Sequence, residues 1–263
     1  MRRAPARAAA LGALLAAIAC IAAAPVGAER TGGGGVVVSF DGSISPRSLP
    51  RHRPVPISVT LEGSVRAEGD AEPPRLRRLE LAFGARGGID VAGLPVCPRG
   101  RLRDATRRQA LDRCGPALVG RGRLEAEVPL DPSRPLLASA GLLAFNGRAG
   151  GRPAVWVHAY SASPPVSFVL PFYLRQERRG AFGILLRAPV AAALGRWPRL
   201  RGFEIRLGRR YRAAGTSHSY LNAGCPLPPR FNRFTVPIAR ASYSFAPAPT
   251  LSTTVLRECR VSE

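Results

Sequence analysis

The chain has 263 residues, 46% hydrophobic and 21% charged, which is apolar surface enough for a sizeable core and excludes wholesale disorder. Its formal charge of +22 comes from 39 basic residues, every one an arginine, set against 17 acids. With 28 glycines and 26 prolines, the composition suits many short elements joined by turns.

The amino terminus carries an export pattern. Arg2, Arg3 and Arg7 precede an uncharged, Ala- and Leu-rich run of 17 residues, Ala8–Ala24, and Val26-Gly27-Ala28 places small or compact residues before Glu29. Residues 1–28 therefore read as a secretory signal peptide, and the chain is expected to be secreted or associated with the cell envelope. An uncleaved anchor is the rival, but 17 residues rich in alanine lie at the bottom of the spanning range. The residues around Cys20 form a poor lipoprotein box, with Ala17 where a Leu-like residue belongs. No transmembrane span is expected in the mature chain.

Next come Gly32–Gly35, which read as a flexible spacer, a Val36–Phe40 strand and a Pro- and Arg-rich passage through Pro56. Residues 29–53 thus read as a flexible or extended amino-terminal segment, with residues 54–263 forming a single domain. Within it, apolar residues alternate with polar ones at Ile57–Val65, Leu79–Phe83, Leu124–Leu130, Phe203–Leu207 and Ala241–Phe245, the mark of antiparallel strands with one wet face. Denser runs at Leu136–Phe145, Val155–Tyr160 and Val166–Leu174 predict more deeply buried strands. Asn146-Gly147 and Gly150-Gly151 predict a longer hairpin loop between the first two, and Ser163-Pro164-Pro165 joins the next pair.

Helices are expected to be minor. Asp104 is a candidate cap for one running to Arg113, and Pro189 with Val190–Leu194 and Gly195 predicts another. The predicted fold class is mainly β: an antiparallel β-sandwich with one or two short helices. Of the 17 aromatic residues, 15 lie after residue 144, so the second half is expected to build the thick part of the core.

Without Cys20, four cysteines remain: Cys97, Cys114, Cys225 and Cys259. In an exported chain they imply two disulfides. Three pairings are open; the local one, Cys97 with Cys114 and Cys225 with Cys259, closes the shortest loops and is preferred. A zinc site needs closer spacing than any two of these offer. No metal and no cofactor is expected.

The segments AFNGRAGGRPAVWVHAYSASPPVSFVLPF (144–172), ALGRWPRLRGFEIRLGRRYR (193–212), SYLNAGCPLPP (219–229) and CGPALVGRGRLEAEV (114–128) resemble a family of exported proteins of high-GC actinobacteria. The resemblance covers most of residues 94–259. It implies no activity, ligand or catalytic residue, because the family has none assigned.

Signals for catalysis are thin. His158 shares a strand face with Trp156 and Tyr160 and is the most site-like of three histidines; His52 lies between arginines, and His218 falls in an expected turn. Ser161 and Ser163 lie near His158 in sequence, but no G-x-S-x-G elbow is present. Asp90, Glu125, Glu127 and Asp131 show no arrangement that pairs them across a cleft. No catalytic residue is assigned, and a secreted hydrolase with a site around His158 is the alternative to a non-enzymatic binding or structural module.

Two runs concentrate the charge. Residues 99–113 hold six arginines against Asp104 and Asp112; residues 196–212 hold seven against Glu204, interleaved with Trp197, Phe203 and Tyr211. Arg99, Arg101, Arg103, Arg199, Arg201, Arg209 and Arg210 are the candidate anion-binding residues, because guanidinium forks match carboxylate and phosphate. The partners this predicts are anionic cell-wall polymer, acidic polysaccharide or lipid headgroups; an exported chain makes nucleic acid a poor candidate. GC-biased coding, which favours arginine over lysine, is the competing account of the charge.

Overall fold

A computed structural model describes residues 28–69, 74–131, 134–177, 180–194 and 199–262. The expected signal peptide, with Cys20, falls almost entirely outside them, as do Arg196 and Trp197. The described chain is mainly β. The first strands are β1 (Glu29–Gly33), β2 (Val36–Ser45), β3 (Ser48–Pro50), β4 (Val55–Pro56), β5 (Ser58–Ala67), β6 (Arg75–Gly84) and β7 (Gly87–Ile89). After helix α1 (Arg107–Cys114) come β8 (Leu118–Asp131), β9 (Arg134–Ala149), β10 (Arg152–Ala162), β11 (Pro165–Gln176) and β12 (Phe182–Ala188). Helix α2 (Val190–Leu194) leads to β13 (Arg199–Leu207), β14 (Arg210–Ala213), β15 (Thr216–Ser219), β16 (Leu221–Ala223), β17 (Arg233–Ala246) and β18 (Leu251–Ser262).

Thirteen strands form one sheet in the order β1-β2-β5-β13-β8-β9-β10-β11-β12-β6-β17-β18-β3, antiparallel throughout except for β18 with β3. A twisted sheet of this width does not stay open. It curls until its ends meet, so that opposite parts face one another across a core. Side chains fasten the closure: Thr31 Oγ1 of β1 donates to Ser252 O of β18 at 3.2 Å, Tyr243 Oη of β17 donates to Ser39 O of β2 at 3.2 Å, and Arg257 of β18 pairs with Asp41 of β2.

The amino-terminal segment belongs to this sheet. Val36, Val38 and Phe40 of β2 are fully buried, so this segment is part of the core and not a flexible lead-in to residue 54. Gly34-Gly35 is no spacer. With φ of +60° and +76°, it forms the two-residue turn that joins β1 to β2, a turn that needs the left-handed region at both positions. Gly150-Gly151 does the same between β9 and β10, at +54° and +78°. The predicted longer loop there is therefore replaced by a tight turn, and Asn146-Gly147 lies within β9, opposite Val155 and Ala154. Gly147 is required because the Trp156 indole crosses it; a Cβ would stand 2.1 Å from Nε1.

The dense strands are buried on both faces only where the α1 region covers them; Leu136 and Leu137 of β9 and Val166 and Tyr173 of β11 are exposed, against expectation. Inward, Leu142 and Ala144 of β9, Val155 and Val157 of β10 and Phe172 of β11 join the main core with Phe40, Leu61 and Tyr243, so both halves of the chain build it. Outward, Leu143, Phe145, Ala154, Trp156 and Val169 meet Leu102, Ala105 and Ala110 from a separate covering layer around α1. That layer is held by the Cys97–Cys114 disulfide, with a Cα separation of 5.4 Å; Cys225–Cys259, at 5.9 Å, ties the segment after β16 to β18. The local pairing is thus the one adopted. The α1 cap is Thr106, not Asp104: Thr106 and Gln109 exchange bonds in a capping box, while Asp104 occupies a turn at φ +51°.

Candidate functional site

Every histidine has a defined setting. His158 is fully buried beneath the α1 layer, where Nε2–H donates to Ala105 O at 2.8 Å. Its Nδ1 has no partner among the described residues, and burial holds its pKa below the ordinary 6.5. No substrate reaches this ring, so it acts as a pin between β10 and the covering layer rather than as a general base. Ser161 is buried and donates to Ser163 O at 3.2 Å. His52 is exposed.

His218 departs from expectation. It lies on β15, not in a turn, and its Nδ1 stands 2.9 Å from Asp90 Oδ2. Tyr211 stacks on the imidazole at 5.3 Å between ring centres, and its hydroxyl donates to Asp90 O at 3.2 Å. The His218 bond, then the Ala92 N–H on Oδ1, hold the Asp90 carboxyl below its ordinary 3.8. The pairing across 128 positions has no local motif in the sequence. Ser219, the adjacent hydroxyl, is buried and donates to Leu221 O at 2.8 Å, so the cluster lacks an available nucleophile there.

The candidate arginines do not form one surface. Arg99 lies over the Trp156 ring at 5.9 Å and donates to Val169 O. Arg101 and Arg103 are exposed beside the covering layer. Arg201 pairs with Glu127 at 2.5 Å, and Arg199, its neighbour two positions away, stands opposite Glu127 in the β13–β8 register. At the other end of β13, Arg209 donates to Gly115 O, Pro116 O and Leu118 O, anchoring the start of β14 to the chain between α1 and β8. Arg210 is exposed. Arg199 and Arg201 are thus separated from Arg209 and Arg210 by the length of β13, and Arg201 and Arg209 are committed to the fold.

The feature that sequence reasoning missed is a cavity of about 830 Å³ that opens to solvent. It lies at the end of the curled sheet where β2, β6, β13 and β18 finish and β5, β12 and β17 begin. The small sheet β4-β16-β7 forms part of its wall. Inside, Ile57, Val59, Ile184 and Leu186 are buried, whereas Ile44, Phe83, Ile89, Leu221, Val236 and Ile238 remain partly exposed toward it. Cys259, and with it the Cys225 bridge, stands at the rim.

Apolar side chains left facing a space of this size lose the close packing of an ordinary core, and a cavity of ~300–1,000 Å³ is the usual scale of a small-molecule site. Its wall is drawn from strands far apart in sequence, so no periodicity or motif announces it. Among the described residues, no group of three or more His, Cys, Asp or Glu side chains is placed to hold a metal. Comparison with protein-family models, curated proteins and solved structures finds no match.

Proposed function

We propose that this chain is an exported, disulfide-stapled binding protein that takes an apolar ligand into the curled sheet. One observation carries the reading: an 830 Å³ cavity walled by partly exposed aliphatic and aromatic side chains. Filling it would remove that surface from water, at roughly 25 cal/mol per Å² covered. Export is supported by the amino-terminal pattern before Glu29 and by two disulfides, which belong to an oxidising compartment. No helix among the described residues is long and apolar enough to cross a membrane. Exposed Arg101, Arg103 and Arg210 are the side chains through which the second reading, association with an anionic cell-wall polymer or polysaccharide, would act.

The test uses N-phenyl-1-naphthylamine, an uncharged dye that fluoresces in apolar surroundings. The full exported chain should enhance its emission saturably, and Leu221→Trp, which fills the cavity from β16, should weaken binding by about tenfold or more. Absence of saturable enhancement with the wild-type protein overturns the reading.

A further inference from the structure

A smaller void shares lining residues with the cavity and differs from it chemically, and this step rests on the reading of the cavity as an apolar binding site. Val155, Leu186 and Leu207 line both the cavity and a narrower void of about 80 Å³ deeper in the curled sheet. The walls of that inner void carry aliphatic and aromatic side chains only; Leu61, Leu142 and Phe168 are among them. A void this small suits the end of one extended chain and not a ring system or a second chain.

The mouth is cationic. Arg47, Arg86, Arg257 and Arg260 line it, against a single carboxylate, Glu258. Two of these arginines are already engaged, Arg257 by Asp41 and Arg260 by Glu258 at 2.8 Å. The other two are different. Arg47 lies between β2 and β3, Arg86 lies between β6 and β7, and both are exposed with no hydrogen bond or ion pair to another described residue. A positive excess beside low-dielectric apolar walls favours an anion and disfavours a cation at the same place, and the guanidinium fork fits a carboxylate.

We infer that the ligand is a single-chain anionic amphiphile, a long-chain carboxylate, bound tail first. Its acyl chain runs past Val155, Leu186 and Leu207 into the inner void, and its carboxylate stays at the mouth with Arg47 and Arg86. Charge at the head and apolar lining at the tail set the direction of entry.

The experiment is displacement of N-phenyl-1-naphthylamine from the full exported chain by hexadecanoate, hexadecan-1-ol and hexadecyltrimethylammonium, each below its aggregation concentration. Hexadecanoate should displace the dye at roughly tenfold lower concentration than the alcohol, and the cation should be the weakest. In the Arg47→Gln/Arg86→Gln variant, hexadecanoate should weaken by about ten- to a hundredfold while the dye and the alcohol bind as before. Equal displacement by acid and alcohol, or an acid preference that survives in the variant, overturns the anionic head. Binding of neither dye nor any amphiphile would instead overturn the cavity reading beneath it.

Discussion

At the scale of single residues, the polar side chains that look most chemical in the sequence are mostly engaged in holding the fold. His158 is the clearest case, and it makes the protein sensitive to acid. Its folded pKa lies below the unfolded 6.5, so as pH falls the unfolded chain takes up the proton first. The stability this neutral ring supports is present above about 6.5 and is lost as pH drops below that value. Unfolding midpoints in urea, measured from pH 7.5 to 5, should therefore fall more steeply for the wild type than for His158→Gln. Parallel curves would show that the ring titrates alike in both states. His158, Trp156 and Tyr160 were legible as one strand face from their spacing of two, and the dense run around them predicted a deeply buried strand. What covers His158 and Trp156 was not legible, because that layer arrives from residues 97–117 and is positioned by the Cys97–Cys114 bridge, while Tyr160 stays partly exposed.

At the scale of elements, alternation located the strands well, and turn chemistry decided the rest. β5 buries Val59, Leu61 and Val65 as its period predicts. β6 shows why a strict period is not enough: Leu76 and Leu79 are three apart yet both buried, because the register against β17 slips between Leu76 and Arg78. The β14–β15 turn, Ala214-Gly215, repeats the geometry of the two Gly-Gly turns, with φ of +47° and +77°. Alanine in the left-handed region is strained by its Cβ, by about 1–2 kcal/mol. Ala214→Gly relieves that strain but frees the unfolded chain, so a net gain of about 0.5–1 kcal/mol is expected. A guanidinium melt of the two proteins measures it, and an unchanged or lower midpoint for Ala214→Gly would exclude the strain.

At the scale of the whole molecule, the two disulfides restrain different parts. Cys225–Cys259 spans 34 positions and holds the rim of the cavity, whereas Cys97–Cys114 spans 17 and holds the outer layer. By loop closure alone, removing either should cost about 3–4 kcal/mol of stability. Their effects on binding should differ. Cys225→Ser/Cys259→Ser should weaken dye binding well beyond Cys97→Ser/Cys114→Ser at a temperature where both variants are folded. Equal loss would mean that the rim does not depend on its staple.

The sequence by itself determined the β content, most strand positions and both short helices to within a few residues, and it ranked the local disulfide pairing first of three. Each of these depends on spacing along the chain, whether the period of two, a turn dipeptide or the length of a closed loop. Tertiary structure alone decided that three strands between Glu29 and Pro50 belong to the sheet, that Asp90 meets His218 across 128 positions, and that Arg199 and Arg201 lie far from Arg209 and Arg210. It also decided the cavity. A curled sheet of thirteen strands leaves space inside only because of how its ends are brought together, and that closure joins β1 and β2 to β17 and β18 from opposite ends of the chain.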